Sequence, residues 1–331
     1  MKNKKALIKK PNKFLKVLKW IGISFAGLLL IGFIYEQVSE FIDKKTLKEP
    51  GQMIQVGDHK MHLYCTGENK NSNPTVILEA GGGNIFATWS LIQPELSKQT
   101  KVCSYDRSGY GFSEGTQDNR TNEDIAKELE TLLANADVPG PYILVGHSIG
   151  GYYTRVFAKN NLKNTTALVF IDSSHEEQAV KYGYDPNSMT IIEKAMEQLI
   201  YGSIRFGVAR VVMTINPKLL GMPKDSLKYN RGLLLSQTFV QKNKIKDDMI
   251  TSMESANQVA SARNFSNVPI RVLTGDHEKI DPETWPEWLA WQKDLATLSS
   301  NGSQTVVNGS GHYIHVDEPE VVINTIKEFL K

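Results

Sequence analysis

The chain has 331 residues, 38 Lys and Arg against 36 Asp and Glu, 40% hydrophobic residues, 25 Gly, 13 Pro and two Cys. Such a balance excludes a disordered tail, a collagen-like fibre and a disulfide-dense scaffold, and the length admits either two domains or one large α/β domain with an insertion. The net charge of +2 is unevenly placed: residues 1–45 carry ten Lys and three acids, a net +7, which leaves −5 on residues 46–331 and speaks against nucleic acid as a partner of the body.

Residues 20–35, WIGISFAGLLLIGFIY, run for sixteen positions without a charge, with Phe14, Leu15, Val17 and Leu18 just upstream. As a helix this run spans roughly 24 Å, and roughly 33 Å counted from Phe14 with Lys16 and Lys19 snorkelling, enough for a ~30 Å hydrocarbon layer. Eight Lys precede the run, and Glu36, Glu40 and Asp43 follow it. The positive-inside rule then puts residues 1–13 in the cytoplasm and everything after about residue 40 on the other side. Residues 14–35 therefore read as a single-pass anchor in the lipid bilayer. The alternative is a cleaved signal peptide and secretion, but the run is long for one and GFIYEQVSE offers no small-x-small site.

Past a linker at residues 44–51, strand-like and helix-like stretches alternate. Strands are expected at residues 54–57, 60–66, 75–79, 101–105, 142–146, 167–171, 269–274 and 304–307, short apolar runs closed by Gly, Asp or Ser. Thr121 with Asp124 marks a helix start, and Ile125, Leu129, Leu132 and Leu133 share one face. Asp317 and Pro319 open a last helix carrying Val322, Ile326 and Leu330 on one side. Strands alternating with helices predict a mostly parallel, doubly wound sheet of eight strands. The alternation fails between residues 171 and 269, where helices are expected at 191–200, 204–220 and 227–240; residues 175–266 read as an inserted helical cap. The domain plan is thus a basic N-terminus and anchor at 1–45, then one α/β domain at 46–331.

Gly146-His147-Ser148-Ile149-Gly150 matches G-x-S-x-G. It follows the buried-strand run YILV and precedes a helix-compatible stretch, the strand–turn–helix setting in which a sharp turn lifts a serine out of the sheet. With LEAGGG at residues 78–83, DRSGYGFS at 106–113, and GSGH at 309–312 before Asp317-Glu318-Pro319, the motif resembles the α/β-hydrolase family over residues 52–330, and most of all its small bacterial esterase-type members.

That resemblance implies a serine hydrolase. Ser148 would be the nucleophile and His312 the general base, since a free hydroxyl is a poor nucleophile. Three carboxylates compete for the third place: Asp172 after the sixth strand, favoured here, and Glu278 or Asp276 after the seventh, where the family usually carries it. The backbone N–H groups of Ile149 and Gly82 are the candidate oxyanion donors. Asp106 and Arg107 are expected to pair within a structural loop, and Phe86 and Trp89 are candidates for a wall of an acyl pocket. Cys65 and Cys103 fall on strands that the family topology makes neighbours, so they could form a disulfide or remain two buried thiols. No cofactor is implied; the pairs His59/His62 and His312/His315 lack the acid and Cys company of a metal site. The expected reaction is cleavage of a small-molecule carboxylic ester through an acyl-enzyme, with an amidase or peptidase and a non-catalytic binding protein of the same fold as alternatives.

Overall fold

The computed structural model describes residues 13–115, 120–182, 190–216, 223–234, 253–279 and 281–331. Eight strands form one sheet in the order β1-β2-β4-β3-β5-β6-β7-β8. They are β1 (Gln52–Val56), β2 (His59–Thr66), β3 (Thr75–Glu79), β4 (Val102–Tyr105), β5 (Tyr142–His147), β6 (Thr165–Ile171), β7 (Ile270–Gly275) and β8 (Gly302–Val307). From β4 to β8 every neighbouring pair is parallel, and β2 runs antiparallel to both β1 and β4. All eight expected strands are present, with ends moved by one or two residues.

The central strands are buried on both faces because helices cover both. Successive side chains of a strand point to opposite sides. Ile77, Leu144, Leu168 and Phe170 accordingly join one apolar cluster, and Val76, Leu78, Ile143, Val145 and Val169 join the other. The helices are α1 (Lys13–Thr46), α2 (Gln93–Leu96), α3 (Asn122–Asn135), α4 (Gly150–Asn160), α5 (Glu176–Tyr182), α6 (Ile191–Arg205), α7 (Val208–Ile215), α8 (Leu227–Leu234), α9 (Met253–Ala260), α10 (Trp285–Ala296), α11 (Ile314–Asp317) and α12 (Pro319–Lys327). The Thr121 hydroxyl accepts from the Asp124 N–H at 3.2 Å while the Asp124 carboxylate accepts from the Thr121 N–H at 2.9 Å, so α3 starts on a full capping box. Leu330 falls beyond the end of α12 and packs at the margin of the second cluster.

Between β6 and β7 the regular elements among the described residues are all helices, joined by turns and closed by a non-helical stretch at residues 261–269; residues 183–189, 217–222 and 235–252 of the expected cap lie outside the described residues. The helix expected at 204–220 is divided, because Gly207 at φ 72° takes the left-handed region and ends α6 before α7 begins. Val259, Ala262 and Phe265 are buried with α3 and α4 in the first sheet-face cluster, so this end of the insertion is part of the body's own packing.

One expected pair is overturned and one open pairing is decided. Asp106 and Arg107 do not pair with each other. Asp106 accepts from His62 Nδ1 at 2.8 Å and from the Phe86 and Phe112 N–H groups, while Arg107 bonds Glu79 at 2.6 Å. A Cβ at Gly111 would lie 2.3 Å from the Asp106 carboxylate, which is why the loop needs glycine there. Cys65 and Cys103, directly opposite in the β2–β4 register, are joined as a disulfide.

Candidate active site

β5 ends at His147 and α4 begins at Gly150, so Ser148 and Ile149 are the whole turn. Ser148 sits at φ 53°, a left-handed conformation that costs a side-chain-bearing residue energy and persists only where surroundings enforce it. Enforcement comes from β6: the Ser148 N–H donates to the Ile171 carbonyl at 3.1 Å, and the Ser174 N–H donates to the Ser148 carbonyl at 3.0 Å. Both flanking glycines are sterically required. A Cβ at 146 would stand 2.6 Å from Thr154 Oγ1, and one at 150 would stand 2.8 Å from the carbonyl oxygens of Glu79 and Ala80.

The same two hydrogen bonds bracket Asp172, the first residue past β6, which is fully buried at φ 42°. Its Oδ1 accepts from the Gly275 N–H at 3.0 Å and from Trp288 Nε1 at 2.9 Å; its Oδ2 accepts from His277 Nε2 at 2.9 Å and from His312 Nδ1 at 2.7 Å. A carboxylate offers about four lone-pair sites, and here all four are used. Burial pushes this carboxyl up, but the hydrogen bonds from His277 and His312 outweigh it and hold it below the ordinary carboxylate range. An ionised carboxylate only accepts, so the His312 proton lies on Nδ1 and the Nε2 lone pair is free to act as a base. The His277 ring, by its hydrogen bond to Asp172, is raised above the usual histidine value.

The other candidate acids are placed elsewhere. Glu278 is exposed, and Asp276 accepts the Glu278 N–H at 3.3 Å within its own loop. Among the described residues neither is hydrogen-bonded to His312, and none joins Ser148 Oγ to His312.

His147 points at the loop that carries His312. Its Nε2 donates to the His312 carbonyl at 2.9 Å, and its ring centroid lies 4.7 Å from that of His312 and 4.5 Å from that of His315. Burial drives the His147 ring well below the ordinary value, and burial with the nearby His312 takes His315 down to about 3. Two of the three rings are thus held neutral, leaving His312 as the one with access to solvent.

On the opposite side of Ser148 lies the loop after β3. A Cβ at Gly81 would come within 2.6 Å of His147 Nδ1 and 3.2 Å of Ser148 Cβ, so this backbone passes directly over the elbow. Arg107, buried and paired with Glu79, donates to the Ala80 and Gly81 carbonyls at 2.6 and 2.8 Å. The peptide unit is planar and trans, so fixing the Gly81 carbonyl on Arg107 turns the Gly82 N–H the other way. The Ile149 N–H stands at the head of α4.

Beside His312 opens a cavity of about 300 Å³ lined by Trp285, Trp288 and Trp291 of α10 together with Asp172 and His277. Phe86 and Trp89 are not on its wall; both are buried, Trp89 against the His315 ring at 4.8 Å. Two groups bring ligand-type atoms within 4.8 Å of one another: Asp172, His277 and His312, and His175, Glu176 and Asp294. In the first the shared Asp172 oxygen is taken by the two imidazoles, and in the second the Arg263 guanidinium already sits 2.5 Å from both Glu176 and Asp294. The sequence alone did not reveal His277, Trp288 or the Arg107–Glu79 pair. The i, i+3, i+6 spacing of Trp285, Trp288 and Trp291 was the available signal for the first wall.

Comparison with known proteins bears on the fold and the family. A protein of Schizosaccharomyces pombe (strain 972) described as uncharacterized is 25% identical over 315 residues, covering 86% of this chain and 56% of that protein. An uncharacterized vacuolar membrane protein of Saccharomyces cerevisiae is 32% identical over 139 residues, 37% of this chain and 21% of its own length. The chain thus spans little more than half of the first of these relatives and a fifth of the second. Among solved structures, a lipase candidate from Acinetobacter baumannii AYE superposes with a TM-score of 0.61 at 21% identity, covering 89% of this chain and 95% of the other. The enol-lactonase of Burkholderia xenovorans LB400 gives 0.59 at 16% identity, with 84% and 99% covered. At such identities these likenesses speak to fold. Residues 77–325, from the middle of β3 into α12, match the sequence profile of the Alpha/beta hydrolase family, and with three quarters of its length inside that match the chain belongs to this family.

Proposed function

We propose that this protein is a membrane-anchored serine hydrolase that cleaves a carboxylic ester. The observation that carries the reading is the 2.7 Å hydrogen bond from His312 Nδ1 to a buried Asp172 whose neighbours also clamp the Ser148 backbone. Ser148 Oγ attacks the acyl carbonyl as His312 Nε2 takes its proton. The new oxyanion is met by the N–H groups of Ile149 and Gly82, the latter aimed by Arg107 through the Gly81 carbonyl. Asp172 stabilises the imidazolium and fixes its tautomer. The C–O bond to the alcohol breaks, the alkoxide leaves with the proton from His312, and the acyl group stays on Ser148. Water then attacks the acyl-enzyme with His312 again as base, releasing the acid. Helix α1, 34 residues long with its apolar side chains exposed, supports a bilayer anchor through residues 14–35, and the Cys65–Cys103 disulfide supports a catalytic domain on the extracytoplasmic side.

The test uses the full chain in detergent, treated with a fluorophosphonate probe and assayed on p-nitrophenyl esters of increasing chain length. Labelling and turnover that both vanish in Ser148→Ala establish the reading. A folded protein that neither labels nor turns over any ester overturns it in favour of a binding role.

A further inference from the structure

The segment of α1 beyond its uncharged run holds Glu36, Glu40 and Asp43, and all three face inward. Glu36 and Glu40 are only 1% and 5% exposed. Arg210 of α7, itself buried, donates to both oxygens of Glu36 at 2.9 and 2.7 Å and to Asp43 at 2.5 Å, and Lys44 pairs with Glu40 at 2.6 Å. With the charges turned in, the outer face of α1 stays apolar through Val38, Phe41 and Ile42, each more than half exposed.

The cap helices touch α1 inside the membrane run itself. A Cβ at Gly32 would lie 2.4 Å from the Phe206 carbonyl oxygen, and one at Gly207 would lie 2.8 Å from Tyr35 Cδ1, so the α6–α7 corner meets α1 backbone to backbone. Phe206 also packs on Phe33 with ring centroids 6.5 Å apart. Gly32 is four residues before Glu36, about 6 Å along the helix axis. If residues 14–35 lie in hydrocarbon, the α6–α7 corner lies there too, because it is in contact with them.

The surface of that corner has the matching chemistry. Val208, Val211, Val212 and Ile215 form the outward face of α7 at i, i+3, i+4 and i+7, with exposures of 40–78%, while Arg210 and Met213 face inward. The one hydroxyl on the outer side, on Thr214, donates to the Arg210 carbonyl at 2.8 Å. On α6, Ile191, Ile192, Met196, Leu199 and Ile200 are 58–87% exposed. Apolar surface of this extent on a helix pair is unlike a water-facing surface and fits an interfacial helix sunk about 5–10 Å into a leaflet.

We infer that α6 and α7 of the cap are inserted into the lipid leaflet beside α1, so that the protein meets the bilayer through three helices. The inference rests on reading α1 as the membrane anchor. Its inner consequence is that Met213, on the buried side of α7, packs in one cluster with Ile85 and Phe86, just after the loop that carries Gly82. One helix thus has lipid on one face and the wall of the active-site loop on the other.

The test places a single environment-sensitive fluorophore on the full chain in phosphatidylcholine–phosphatidylglycerol vesicles, through Val211→Cys or Ile215→Cys, the native cysteines being oxidised. Phe25→Cys in α1 and Glu130→Cys on the exposed face of α3 serve as controls, and each labelled chain must melt as the parent does. Brominated lipids should lower the emission at Val211, Ile215 and Phe25 at least twofold and leave Glu130 unchanged, with aqueous iodide giving the reverse pattern. Quenching of Val211 and Ile215 by iodide alone, or by neither agent, with Phe25 still quenched by lipid, overturns the inference: the face is then in water or under protein. Loss of lipid quenching at Phe25 removes the anchor reading and this inference together.

Discussion

The α/β body and the contact between α1 and α7 solve the same burial problem with opposite signs. In the body, apolar side chains fill both faces of the sheet, and its buried ions, such as Arg155 with Glu176 and Arg107 with Glu79, are tied into loops around the site. Where α1 meets α7, the interior contact is an ion cluster of Arg210, Glu36 and Asp43 and the exterior is apolar. If lipid lies beyond that exterior, as proposed, the arrangement follows, because a charge in lipid must find its partner inside the protein. The difference teaches that a buried salt bridge cannot be read without knowing which solvent lies beyond it.

Substitutions can separate the two regions. The largest effect is expected from Asp172→Asn, which leaves a neutral group beside His312 and favours the wrong tautomer; kcat should fall by roughly 10⁴-fold, whereas Glu278→Gln and Asp276→Asn should stay within about twofold. Ester turnover of the full chain checks this, and equal losses in all three would remove Asp172 from the role. Next comes Arg210→Met, which strands the buried Glu36 and the half-buried Asp43 at the α1–α7 contact. It should cost about 3–5 kcal/mol in thermal unfolding of the detergent-solubilised chain, against less than about 0.5 kcal/mol for Lys159→Ala on the body surface.

A third effect belongs to the body alone. His147 and His315 are kept neutral in the fold and protonate freely when unfolded, so the unfolded chain binds more protons below the free histidine value. For His315, with a folded value of about 3, stability should be complete above pH 6.5 and fall as pH drops from 6.5 toward 3, by up to roughly 1.4 kcal/mol per pH unit for each buried ring. Denaturant melts between pH 7 and pH 5 measure that slope, and a flat profile contradicts the burial argument. The smallest effect is His277→Gln. Losing a ring that is raised toward its cationic form, and that shares the Asp172 oxygen, gives His312 a more negative neighbour; the acidic limb of kcat/KM should move to higher pH by less than about one unit, with kcat at high pH changed less than threefold. An unmoved limb would make His277 merely structural.

Much of the body was legible because its signals are local. Alternating short apolar runs gave the eight strands, and the two glycines around Ser148 announced a turn that only a strand–turn–helix context explains. Asp172 stood out as a lone acid at a strand end, but its four donors come from three separate places in the chain, the end of β7, α10 and the loop of His312, and no periodic spacing connects them. Arg107 was misassigned for a related reason. Adjacent opposite charges look paired on paper, whereas successive residues here project apart and find partners in β2 and β3. The acids after the apolar run of α1 marked its end by composition, and only the fold shows two of them, Glu36 and Asp43, turned onto Arg210. Long-range pairing of this kind leaves no periodic trace in one sequence.

The Cys65–Cys103 bond has a mechanical consequence. With α1 held in a bilayer, as proposed above, a pull carried by the connecting residues 47–51 reaches β1 and β2 first, at the edge of the sheet. Edge strands loaded from one end unzip one hydrogen-bond pair at a time, which takes little force. Here the peeling can proceed only to residue 65, where a covalent link to β4 passes the load to the buried strands. The disulfide therefore acts as a strain relief, the way a cable is clamped before its connector, and confines peeling to the edge of the sheet.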